Sequence, residues 1–266
     1  MEADALGLEP YVIATAPLLR RIDDSPLGVR LSKDRFYDPT RRRSEAFVDL
    51  IDRVDVMTFG PLGMRMPRWA IYDCAELPGA IVGLGGSHDK LPEPLRSEIA
   101  PAEFVPFTMC MATPMVAEGH WLVYSISSLL ELVPNFDTVA TSAETLAIAL
   151  AMLRVKRATG TIQWGSHRLA AQTRFGPLAV RAAWVPAHTH PATCVFEWAV
   201  DDASQEQALK PPLASPDDAF PVDEADHPAL QRLQARIEGG EELELTGVTP
   251  AAVGRAPRAL VRWRTA

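Results

Sequence analysis

The sequence predicts an α+β fold: a largely antiparallel, curved sheet or a partly open β-barrel, packed on a buried helix. Three observations predict it. Runs rich in Trp, Val and Ile recur between Gly/Pro turns. Helical patterns are too few and too irregularly placed for alternating βαβ units. Residues 146–155 are apolar nearly all round, which a helix tolerates only inside a core. With 266 residues, 47% of them hydrophobic and 23% charged, the chain is long enough for one large domain or two small ones.

Residues 1–43 read as an irregular N-terminal arm, broken by Pro10, Pro17, Pro26 and Pro39, with one strand at 11–14. The run Arg41-Arg42-Arg43 reads as a solvated face. The core domain is expected over 44–200 and opens with a helix from Ser44, on which Phe47, Leu50, Ile51 and Val54 share one face. Strands follow at 69–72 and 80–84, punctuated by Gly60-Pro61, Gly63 and Pro78-Gly79. Gly83-Leu84-Gly85-Gly86 is not read as a phosphate loop, because such a loop needs a helix N-terminus directly behind it and Leu91-Pro92-Glu93-Pro94 is a poor start for one. Ser87-His88-Asp89 reads as a turn, since adjacent residues cannot form a triad relay.

Residues 104–115 alternate, so that Met109 and Met111 share one face and Cys110 and Ala112 the other. A strand at 121–127 and a helical turn ending at Pro134 come next. Thr141-Ser142-Ala143-Glu144 has the form of a capping box, and the helix it opens runs to the basic residues Arg154, Lys156 and Arg157. Residues 160–200 read as strands. Alternation between Arg168 and Val185 around Gly176-Pro177 predicts a hairpin with a two-residue turn, pairing Phe175 with Leu178 and Gln172 with Arg181. That register puts Arg168, Arg174 and Arg181 on one polar face.

Residues 201–225 are acidic and Pro-rich and read as an exposed connection with little regular structure. A C-terminal segment, 226–266, is expected to pack on the core: Asp226 caps a helix with Pro228 in its first turn, Leu230, Leu233 and Ile237 on one stripe and Gly239-Gly240 as its stop, and strands follow at 243–246 and 260–263.

The net charge of −8 argues against nucleic acid or an anionic membrane surface as partner, because those need a positive surface to displace counterions. Cys74, Cys110 and Cys194 lie in apolar runs without CxxC spacing and read as reduced, buried thiols, which with the acidic N-terminus and the absence of a long apolar run predicts a soluble, cytoplasmic protein. Met109 and Met111 are candidates to line an apolar cavity, with Arg65, Arg68, Arg174 and Arg181 as candidate guanidinium partners for a ligand's acidic group. For acid–base work the candidates are Asp73 and Glu76, at an expected strand end, and His120. No metal or other cofactor is expected. His188 and His190 have the spacing of two ligands, but two are too few.

These residues define a small-molecule enzyme or ligand-binding protein, of the kind found in secondary metabolism, whose ligand is apolar with an acidic group. A homo-oligomer is compatible with the sequence. The alternative is an association module that works through strand edges and the acidic segment. The order of a strand at 106–111, a second at 121–127, a helix and an antiparallel hairpin also resembles acetoacetate-decarboxylase-like proteins, which implies a β-rich cone that binds small keto acids. The helix from Thr141 has no lysine before Lys156, so the resemblance implies the fold without the Schiff-base lysine.

Overall fold

The structure, a computed structural model, describes residues 6–23, 26–76, 79–134, 136–249 and 257–264. Its chain divides into two compact units, Met1–Val155 and Lys156–Ala266.

The first unit contains, in order, β1 (Glu9–Ile13), β2 (Phe36–Tyr37), α1 (Glu45–Phe59), α2 (Arg68–Glu76), β3 (Ala80–Gly86), β4 (Val105–Pro106), β5 (Thr108–Pro114), β6 (His120–Ser128) and α3 (Thr138–Met152). Its strands run in the order β6-β5-β3-β1-β2, with β4 beside β3. All pairs within it are antiparallel except β1 with β2. Register sorts the side chains onto two faces. Ile13 opposes Ile81, which opposes Met111, and Met109 and Met111 oppose Ser127 and Ser125. This face lies under α1, whose Phe47, Val48, Ile51 and Val54 join Tyr11, Ile13, Ile81, Met109 and Met111 in one buried cluster.

The other face carries Val12, Val82, Thr108 and Cys110 and is covered by α3, which packs on β3, β5 and β6. The Thr108 and Thr145 hydroxyls meet there at 2.7 Å. This is the buried helix on an antiparallel sheet that the sequence predicts. The cap is different: α3 starts earlier, because the Asp137 carboxylate accepts from both Val139 N and Ala140 N at 3.1 Å, and Thr141 lies inside the helix. A carboxylate at the positive helix end is the stronger cap.

The second unit contains β7 (Arg157–Gln163), β8 (Leu178–Ala182), β9 (Thr193–Ala199), α4 (Asp202–Ala208), β10 (Phe220–Val222), α5 (His227–Glu238), β11 (Leu243–Val248) and β12 (Ala259–Trp263). Its strands run β10-β12-β11-β8-β9-β7, and every pair in that path is antiparallel. In neither unit do the strands close into a barrel.

Three local expectations are corrected. The hairpin around Gly176-Pro177 does not form: Leu169–Gln172 is an α-helical turn, Thr173–Phe175 continues it as a 3-10 turn, and β8 pairs with β9 and β11 instead. Leu169, Gln172 and Thr173 are buried at helical spacing, and Ala, Leu and Gln favour a helix, so a period of two was only one reading of that segment. Gly176, at φ 112°, turns the chain into β8. Residues 69–72 belong to α2 and not to a strand, since so short an apolar run fits either period. The acidic segment holds α4, started by a reciprocal Asp201–Ser204 capping box. Among the described residues no helix is long and apolar enough to cross a membrane.

The Ser127 hydroxyl is buried beside Met109 with no hydrogen-bond partner among the described residues. An orphaned hydroxyl costs roughly 1–3 kcal/mol of desolvation. Ser127→Ala is therefore expected to leave urea-unfolding stability unchanged or raise it by about 1 kcal/mol; a clear loss would show that the hydroxyl is bonded.

Candidate functional site

The candidates named from the sequence are divided between the two units. Met109 and Met111 are completely buried in the cluster under α1, together with Met66. Nearby, Arg65 lies 3.4 Å from Asp52 and Arg68 pairs with Asp49, both bridges standing in solvent on the outer side of α1. Asp73 is exposed on α2, and the side chain of Glu76 lies outside the described residues. His120 opens β6, where its carbonyl accepts from Met115 N at 2.8 Å to close the β5–β6 connection.

In the second unit Arg181 is an exposed residue of β8, paired with Glu197 of β9 at 3.0 Å. Arg174 is not beside it on a strand: it sits in the 3-10 turn, its Nε buried with no partner among the described residues. Gln172 Oε1 and Trp198 Nε1 are likewise buried without partners. His188 and His190 lie in the loop before β9, their rings 6.2 Å apart, and His188 Nδ1 accepts from His190 N at 3.0 Å. That bond turns one imidazole nitrogen to the backbone. Among the described residues no group of three or more His, Cys, Asp or Glu side chains is placed to hold a metal ion. Burial pushes the Cys110 thiol up to about 12 and raises Cys194 as well, so neither is a ready nucleophile.

An apolar groove with charged ends lies elsewhere, between α5 and the β10–β12 end of the second sheet. It has a volume of about 360 Å³. Its apolar lining comes from Phe220 and Val222 of β10, Ala229 and Leu233 of α5, and Trp263 of β12. Local sequence sets each wall. Asp226 caps α5 through Ala229 N at 2.9 Å, and Pro228 fits the first turn, where no amide hydrogen is needed. Leu230 is fully buried, and the Gln234 amide oxygen accepts from Ala183 N at 2.8 Å, fixing the helix to the end of β8. The residues three and four apart around Ala229 then look out over the groove. Pro221 sits in the middle of β10, the last strand of this sheet, and a proline there removes a backbone donor from the edge.

Two arginines of α5 line the groove and differ in state. Arg236 lies 3.7 Å above the Trp263 ring and donates to Glu241, its Nε 2.8 Å from Oε1; that hydrogen bond holds the Glu241 carboxyl below its usual range. Its charge is spoken for. Arg232, one turn earlier, is exposed and has no carboxylate partner among the described residues. At the opposite end Asp223 pairs with Arg258 at 3.0 Å. The groove can therefore hold a small apolar body and meet an acidic group with one uncommitted guanidinium.

The sequence reading missed this groove although its signal was present. Ala229, Arg232, Leu233 and Arg236 form a second stripe on α5, one step round from the expected Leu230, Leu233 and Ile237. What could not be read was which strand faces that stripe. No family model matches the chain, and no curated protein matches it.

Proposed function

We propose that the protein is a ligand-binding protein or enzyme of small-molecule metabolism that takes an apolar molecule with an acidic group, bound between α5 and the β10–β12 edge. The observation that carries this reading is Arg232: a guanidinium with no carboxylate partner among the described residues, on the rim of an apolar groove of about 360 Å³. That volume falls in the range of small-molecule sites. A charge-assisted hydrogen bond contributes about 1.5–3 kcal/mol when partly shielded, enough for a tenfold effect on affinity. The arginines named from the sequence at Arg65, Arg68 and Arg181 already have carboxylate partners, which favours Arg232 over them.

A fluorescence titration with 1-anilinonaphthalene-8-sulfonate, an apolar anion, tests the reading. Arg232→Ala is expected to weaken binding about tenfold with the melting temperature unchanged, because the side chain is exposed and makes no ion pair among the described residues. Unchanged affinity would count against it. Association is the second reading, favoured by one observation: Met115, Val116 and Tyr124 are exposed apolar side chains on and beside the β5–β6 connection.

A further inference from the structure

Among the described residues the groove has an unpaired charge of each sign, and both belong to α5. Asp226, the N-cap, is exposed and makes no ion pair among the described residues; its Oδ1 accepts only from Ala229 N. Arg232 is the unpaired cation. Six residues of helix separate them by about 9 Å along the axis. Between them the wall is apolar, formed by Ala229 and Leu233 against Phe220 and Trp263. The other charged residues of the groove are neutralised within the protein, Asp223 by Arg258 and Arg236 by Glu241.

We infer that the ligand is dipolar, with a cationic group at Asp226, an anionic group at Arg232 and a short apolar spacer between them: an ω-amino carboxylate or a molecule of that charge pattern. This rests on the binding reading above and narrows its ligand class. A purely anionic ligand would leave its far end beside the Asp226 carboxylate, which has no ion-pair partner among the described residues. A dipolar one meets an opposite charge at each end.

Calorimetric titration of the full chain with 6-aminohexanoate and with hexanoate decides the matter. The amino acid is expected to bind about fivefold more tightly, the upper end of what an exposed ion pair contributes. Asp226→Asn keeps the helix cap, because asparagine caps as well as aspartate, and is expected to abolish that preference while hexanoate binds as before. Arg232→Ala is expected to weaken both. Hexanoate binding as tightly as 6-aminohexanoate, or a preference that survives Asp226→Asn, overturns the dipolar assignment and leaves the Arg232 reading standing. If neither acid binds, both fall.

Discussion

Replacing Gly83 with alanine is expected to cost the first unit about 3–5 kcal/mol, the scale of a severe steric defect in a core. A Cβ on Gly83 would lie 2.0 Å from the Thr108 carbonyl oxygen and 2.6 Å from the Tyr11 hydroxyl. Neither neighbour can yield cheaply. The Tyr11 hydroxyl donates to that same carbonyl at 2.7 Å, and Leu84 N donates to the Thr108 hydroxyl at 2.9 Å. The ring of Tyr11 crosses the sheet over the bare backbone of Gly83 to reach its acceptor, so an added methyl must push apart β1, β3 and β5 together. Gly60→Ala is the control: apart from Pro61 beside it, Gly60 has open space around it and φ −54°, and the change is expected to cost about 1 kcal/mol or less. Urea unfolding of the two variants checks the contrast; a Gly83→Ala protein as stable as the parent would mean that Tyr11 does not sit there.

Alkaline pH is expected to weaken both units for a reason written in their buried thiols. An unfolded cysteine ionises near 8.5, whereas burial keeps Cys110 protonated up to about 12 and raises Cys194 in the same direction. Burial also pushes Tyr11 well above its ordinary value, with the nearby Tyr37 and Cys110 adding to the shift. The folded pKa values are raised, so the stability is fully present below the unfolded pKa, and it is lost as pH rises because the unfolded chain releases protons first. Each thiol should cost about 1.4 kcal/mol per pH unit above roughly 9. Unfolding free energy measured at pH 8 and pH 10.5 should fall accordingly, and the Cys110→Ala/Cys194→Ala protein should fall distinctly less. Equal slopes for the two proteins would contradict the burial of these thiols.

The parts of the fold that were legible in the sequence were those where one local signal had no rival. The apolar run at 146–155 admitted only a buried helix. The Asp226 cap, Pro228 and the Gly239-Gly240 stop bounded α5 closely, and alternation at 104–115 put Met109 and Met111 on one face as observed. Where two periods fitted, the choice depended on partners distant in sequence. Residues 169–175 satisfy both an alternating and a helical pattern, and β8 takes as neighbours the next strand, β9, and the distant β11. Gly83 shows the same limit at one residue: the sequence places it in the strand at 80–84 and refuses it a phosphate loop, but that it must be glycine follows from Tyr11, far away in sequence, passing over it.

The candidate site was less legible for a related reason. An arginine's residue type says that it can bind an acid, and only the fold says whether a carboxylate of the protein has reached it first. Asp52, Asp49 and Glu197 occupy Arg65, Arg68 and Arg181. Arg232 has no such neighbour within the described residues, and the strands that give it an apolar surround, β10 and β12, lie on either side of α5 in the sequence.

The most direct measurement is a crystal structure of the protein soaked with 6-aminohexanoate. The account predicts the ligand lying along α5 over Leu233 and Trp263, its carboxylate within hydrogen-bonding distance of Arg232 and its ammonium group at Asp226. A ligand bound elsewhere, or a groove that stays empty while calorimetry reports binding, would contradict it.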